Sequence, residues 1–333
     1  MGRTRRILYG VLRTAFGVGL LAYLGLSGAI DWSALAGLAI AWPVALAALV
    51  LLFLDLGVSA WRMCVLLGAS GFHITLLSSF RLTLIGNFFN ACLPGATGGD
   101  VIKIYYATEG NSGRRTEVMT VMLLDRAAGM FALLALPLII APLFPQLLGS
   151  GVMRALLLTA ALIAAAMLAG AAVLSSKRVI NSRFSPFRLL PFGKYVERVI
   201  HTVHICCRKP GALLAATGIS LLAHTLSIVV ILLVAWAMIP AGFAWRMSIM
   251  IPLGLLANTL PLTPGGIGVG EVAFNRLFAE VGLEGGAEVL LGWRLLMLLA
   301  SLTGLLFYLQ GRRRFVHQMP PVPARIEEEL SVS

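Results

Sequence analysis

Groups able to hold an anion cluster at two places in this chain. The first is Asn90-Ala-Cys-Leu-Pro-Gly-Ala-Thr-Gly-Gly-Asp100, and the second is Asn258-Thr-Leu-Pro-Leu-Thr-Pro-Gly-Gly-Ile-Gly268, followed by Glu271. A helix that starts after Gly98-Gly99, or after Gly265-Gly266 and Gly268, offers free backbone N–H groups. It also offers the positive end of its dipole, and such an end suits a phosphate or carboxylate. Asp100 is placed to cap the first of these helices. Downstream, each copy meets an apolar run that holds an arginine: Leu124-Asp125-Arg126 and Gly292-Trp293-Arg294. Guanidinium groups give planar, paired donors that match a phosphate. The candidate substrate-binding residues are therefore Asn90, Gly98, Gly99, Asp100, Asp125, Arg126, Gly265, Gly266, Gly268, Glu271 and Arg294.

Each feature also has a plain structural reading. Glycines let helices pack closely, and charged groups inside spans often pair to hold helices together. Asp125 points about 100° away from Arg126 on a helix, so its partner is expected on another helix. Asn87, Asn90 and Asn258 can satisfy backbone groups freed at a break. Arg13 and Arg81 lie near span ends, where snorkelling accounts for them. The run His201-Thr-Val-His204-Ile-Cys-Cys207 has zinc-binding residue types without zinc spacing, so no metal is expected. With no nucleophile elbow, P-loop or dinucleotide fingerprint, the sequence implies no cofactor and no catalytic constellation.

The elements around these residues are apolar. The 333 residues are 59% hydrophobic and 12% charged, against roughly 45–50% and 25% in soluble domains. Mean hydropathy is +0.92. The net charge of +12 sits between apolar runs, so topology and anionic headgroups explain it better than nucleic acid does. Full spans need about 20 apolar residues. They are expected at 7–26 (an uncleaved first span), 35–56, 118–143, 152–174, 213–239 and 289–309. Residues 57–77 read as a connector, with Trp61 and Arg62 just beyond the second span. Lys194 to Cys207 has the period of an amphipathic interfacial helix.

Two elements are broken. Pro94 and Pro261 stop helices where lipid depth should continue, and irregular backbone is tolerated there only beside protein or a watery cavity. If both elements, at about 82–106 and 247–274, are re-entrant, the basic segments all fall on one side. An acidic link with Glu271, Glu280 and Glu284 falls on the other, as the positive-inside rule asks. The expected fold is thus an all-α polytopic membrane protein with about six full transmembrane helices and two re-entrant or broken helical elements in an inverted repeat. Residues 1–311 form the membrane domain. Its halves, about 78–174 and 212–310, are joined by the basic cytoplasmic segment 175–211, and a flexible tail covers 312–333. Paired broken segments of this kind point to a transporter's binding site.

Residues 89–100 and 260–271, with Leu93-Pro94, Gly98-Gly99-Asp100, Leu260-Pro261 and Gly265-Gly266 through Glu271, resemble the two signature segments of a known family. It is the lysylphosphatidylglycerol synthase transmembrane-region family, also called flippase-like domain proteins, and the likeness covers roughly residues 8–310. In its best-known members this region is fused to a soluble aminoacyl-transferase domain and moves aminoacylated phosphatidylglycerol between leaflets. Only residues 310–333 follow the last expected span, so the resemblance implies transport and gives no support to lysyl transfer. It implies a multi-pass protein of a bacterial-type inner membrane with cytoplasmic termini, able to form a homo-oligomer. The partner would be a membrane lipid, either an anionic or aminoacylated phospholipid or a polyprenyl-linked lipid. The rival expectations are a membrane-bound transferase on a lipid-linked substrate, with Asp100, Asp125 or Glu271 as base, and a scaffold for an envelope enzyme.

Overall fold

The structure is a computed structural model. It describes residues 32–92, 98–109, 115–175, 199, 202–207, 209–239, 244–259, 263 and 266–309. The helices among them are α1 (Trp32–Ile40), α2 (Trp42–Ala69), α3 (Leu76–Cys92), α4 (Gly98–Glu109) and α5 (Arg115–Ile140). After two short 3-10 turns come α6 (Gly151–Ser175), α7 (Pro210–Met238), α8 (Met247–Asn258), α9 (Val269–Ala279) and α10 (Gly286–Leu309). Five of these, α2, α5, α6, α7 and α10, are long and apolar enough to cross a membrane. They match five of the six expected spans, and the sixth, 7–26, lies outside the described residues. So do 110–114, most of 175–211 and the tail.

One span is displaced. Helix α2 begins after a break at Ala41, with proline in its first turn, where a missing N–H costs nothing. It then runs to Ala69 and carries Trp61 and Arg62 within it, where a connector was expected. The stop is Gly71, in the left-handed region at φ 79°. Phe72 N–H donates to the Leu67 carbonyl at 2.9 Å and closes a Schellman-type end. Arg62 does not end the helix because it is neutralised inside the bundle.

Both broken elements double back as helical hairpins. Gly86 and Lys103 would be about 25 Å apart if α3 and α4 continued in line. Instead, a Cβ placed on Gly86 would lie 2.7 Å from the Lys103 side chain, and one on Gly99 would lie 1.8 Å from the Gly86 carbonyl oxygen. In the second hairpin the Phe274 ring of α9 packs on Gly254 of α8. Glu271, expected as part of an acidic link and as a candidate substrate-binding residue, is fully buried in the first turn of α9. It is held there by two polar partners described below.

The order α2–α3–α4–α5 recurs as α7–α8–α9–α10. Asn90 and Asn258 are 168 positions apart (258 − 90), and so are Arg126 and Arg294 (294 − 126). The equivalent helices α2 and α7 run antiparallel: Asp55 bonds Ser227, whereas the later Arg62 bonds the earlier Ser220. The two quartets are therefore inverted relative to each other. They interlock through their long helices. Helix α10 lies on α3, where a Cβ on Gly304 would lie 2.1 Å from the Leu84 carbonyl oxygen. Tyr308 meets the Phe89 ring at 5.0 Å. Helix α5 lies in the same way on α8, with Phe131 and Leu134 near Leu256. Helix α6 packs on α5 and has no counterpart among the described residues.

Candidate functional site

The first site is the tip of the α3–α4 hairpin. Asn90, in the last turn of α3, accepts the Gly99 N–H through its Oδ1 at 2.8 Å. The side chain before the break thus satisfies a donor of the helix after it. Gly99 is needed there, since its Cα approaches the α3 backbone too closely for any side chain. Gly98 opens α4 and Asp100 follows in its first turn. The Asp100 carboxylate takes the guanidinium of Arg126, which reaches across from the middle of α5. Both side chains remain about a third exposed, at 32% and 33%. Lys103, one turn further along α4, lays its stem against Gly86.

The second site repeats the parts with different wiring. Gly268, at φ 84°, stands before α9, and its N–H donates to Glu271 Oε2 at 2.6 Å. The other carboxylate oxygen, Oε1, takes Arg294 Nε at 2.7 Å. Arg294 Nη2 then donates to Asn258 Oδ1, also at 2.7 Å. A Cβ on Gly266 would come within 2.3 Å of Asn258 Oδ1, and one on Gly270 within 3.0 Å of Arg294 Nη2. The triad of Asn258, Arg294 and Glu271 is thus wrapped by glycine backbone. The Glu271 side chain is 0% exposed and that of Arg294 20%. Gly265 lies outside the described residues.

In each half, then, an asparagine comes from the helix before the break and a carboxylate from the first turn after it. An arginine comes from the next long helix. The sites lie at different levels. Tyr308 packs beside the first tip, while Arg294 stands 14 residues earlier on α10, about 21 Å away along the axis. The first pair is about a third exposed, whereas the second is mostly buried, with Arg294 20% and Glu271 0% exposed. Arginine held only by a partly exposed carboxylate can exchange it for a phosphate with little desolvation. A phosphate reaching Arg294 must first part a buried pair.

Asp125 belongs to neither site. Its carboxylate is gripped by Arg62 of α2, with Nε to Oδ1 at 2.7 Å and Nη2 to Oδ2 at 3.1 Å. Arg62 Nη1 also donates to Ser220 of α7 at 3.0 Å. Neighbours in sequence, Asp125 and Arg126 thus pair with different helices, as their angular separation requires. Arg62 escaped the sequence reading because it was placed past the end of a span. Its signal was an aspartate in the middle of a span whose neighbouring cation, Arg126, points about 100° away around the helix and so cannot be its partner. Among the described residues no group of three His, Cys, Asp or Glu side chains converges on a metal-sized space. Of the 201–207 run, Cys206 is buried with its Sγ 3.0 Å from Ser70 Oγ, and burial pushes its thiol up.

A family model, described as the lysylphosphatidylglycerol synthase TM region, matches residues 10–317. The chain belongs to that family and is a multi-pass membrane protein associated with lipid. No curated protein and no solved structure matches it.

Proposed function

We propose that this member of the family moves a lipid with a phosphate-bearing headgroup between leaflets, leaving the lipid chemically unchanged. The observation that carries the reading is the pair of carboxylate-held arginines at twin hairpin tips in inverted quartets, one open and one sealed. The headgroup phosphate displaces Asp100 from Arg126, a swap of one singly charged anion for another. The N–H groups of the first turn of α4 add donors beside it. Rocking of the quartets seals this site and opens the other, where the phosphate replaces Glu271 on Arg294. The acyl tails stay in lipid throughout. We read it as a protein of a bacterial-type inner membrane, as the family resemblance implies, with the distribution of basic residues favouring cytoplasmic termini.

The test uses full-length protein in sealed liposomes that contain a fluorescent phosphatidylglycerol, with leaflet exchange followed by quenching from outside. Arg126→Lys and Arg294→Lys keep the charge and lose the fork, and each should cut exchange at least about tenfold while melting like the parent. Parent-rate exchange by a stable Arg126→Ala or Arg294→Ala protein refutes the role of that arginine. Conversion of the headgroup would make the protein a transferase instead.

A further inference from the structure

A second polar cluster lies away from both hairpin tips, at the seam of α2, α5 and α7. Asp55 of α2 is 6% exposed and accepts the Ser227 hydroxyl of α7 through Oδ2 at 2.7 Å. One turn earlier on α7, His224 sets its Nε2 3.0 Å from the Gly129 carbonyl oxygen of α5. A further turn back, Ser220 receives Arg62, which holds Asp125. Asp55 stands two turns from Arg62 along α2, and among the described residues no cation pairs with its carboxylate.

The pseudosymmetry shows that packing does not need most of these groups. With the spacing of 168 that relates the two sites, Asp55 corresponds to Ala223, Arg62 to Val230 and Asp125 to Trp293. Ser220 corresponds to Leu52 and His224 to Leu56, whereas Ser227 corresponds to another serine, Ser59. Where Arg62 meets Ser220 in one copy, Val230 and Leu52 fill the equivalent place, and both are fully buried. The same fold thus closes this seam with apolar side chains on its other side. A buried carboxylate placed where its counterpart is alanine is costly unless it is used. Its location is also special. The register of the two bonds puts Gly57 level with its counterpart Thr225. Asp55 therefore lies two residues from the level at which the pseudo-axis crosses α2.

We infer that Asp55, with Ser227 beside it, is a proton-binding site through which a proton gradient drives the conformational cycle. The inference rests on the transport reading above for its consequence, though not for its chemistry. The carboxylate takes one proton to become a carboxylic acid and returns it on the other side of the cycle. In the acid form it loses its attraction to Arg62 and can donate to a hydroxyl. The charged or titratable groups described on the helices packed against α2 are Arg81 on α3, Arg115, Glu117, Asp125 and Arg126 on α5, His224 on α7, and Glu288, Arg294 and Tyr308 on α10. Of these, Asp125, Arg126 and Arg294 are held in ion pairs, and His224 is bonded to Gly129.

Two measurements on the full chain test this. Infrared titration of purified protein should show the carbonyl band of a buried carboxylic acid that appears as pH falls. Asp55→Asn, which can still accept the Ser227 hydroxyl, should abolish that band. Ser227→Ala removes a hydrogen bond that favours the carboxylate, so the midpoint should move to higher pH. That variant serves if Asp55→Asn does not fold. In liposomes with labelled phosphatidylglycerol and a one-unit pH difference, coupling of one proton per lipid gives about a tenfold leaflet imbalance. Asp55→Asn should give none. A band unchanged by both variants overturns the site. Parent protein that equilibrates the probe equally with and without the gradient, or that responds to a sodium gradient instead, overturns the coupling. A parent that moves no probe at all sinks the transport reading, and the infrared titration then decides the proton site alone.

Discussion

Removing Arg62 should be among the most damaging single changes in this protein, though it touches neither proposed lipid site. Arg62→Ala deletes both hydrogen bonds to Asp125 and the one to Ser220. It leaves the Asp125 carboxylate, 8% exposed, without its cation in the middle of the bundle. Breaking a buried pair from one side costs roughly 3–5 kcal/mol, because the remaining charge is desolvated and uncompensated. At about 2 °C per kcal/mol for a chain of this size, the melting temperature in detergent should fall by roughly 6–10 °C. Replacing both partners with apolar residues of similar volume, Arg62→Met with Asp125→Leu, should restore most of that loss, since buried pairs often gain nothing over well-packed hydrophobes. The assay is thermal unfolding of the two single variants and the double, read as a cycle. Additive losses, or an Arg62→Ala protein that melts with the parent, would refute the argument. Pairing Asp125→Leu with Arg126→Ala should bring no rescue, because those neighbours do not share a bond.

The two hairpin tips should respond unequally to loss of their carboxylates. Asp100→Asn removes the charge from a pair that is a third exposed and should cost less than about 1 kcal/mol. Glu271→Gln leaves Arg294 in a mostly sealed site and should cost roughly 3 kcal/mol or more. Equal melting temperatures for the two variants would contradict this. Gly99→Ala should yield little folded protein, because its Cβ would lie 1.8 Å from backbone at Gly86, with no flexible side chain to move aside. Gly149→Ala, which meets nothing within 4 Å, is the control, and equal yields on size exclusion would contradict the hairpin geometry.

The parts of the sites that could be read from sequence are those that violate the surrounding apolar pattern. Proline, paired glycines and an arginine stand out inside runs of leucine and alanine, and they do so twice, the prolines and glycines 167 positions apart and the arginines 168. The positions of α5, α6, α7 and α10 follow from hydropathy alone, within a few residues. Properties set by a distant partner were less legible. Arg62 looks like the end of a span until Asp125, 63 positions later, is seen to neutralise it. Glu271 looks like part of an exposed link, because acids at 280 and 284 follow it. Only Arg294 and the Gly268 N–H explain its burial. The folding back of α3 on α4 depends on Gly86 meeting Gly99, a contact no periodicity encodes.

The two halves differ most where they matter most. A strict inverted repeat would have equal energies with either tip open, and would let lipid equilibrate without preference. This chain departs from symmetry in two ways. At the tips, Asn90 supports backbone while Asn258 supports Arg294 itself, so among the described residues the second arginine has at least two polar partners where Arg126 pairs with Asp100. Phosphate must compete harder at the second tip, which favours the state with the first tip open. At the α2–α7 seam, Asp55, Arg62, His224 and Ser220 on one side are matched by alanine, valine and two leucines at the equivalent positions, and only Ser227 has a serine, Ser59, as its counterpart. On the proposed reading the first asymmetry sets a resting bias. The second puts a carboxylate near the level of the pseudo-axis, where a change of one charge would act against that bias. A ligand or proton shifts such an equilibrium only by its difference in affinity between the two states. On that reading a gradient therefore acts at the seam and the lipid at the tips.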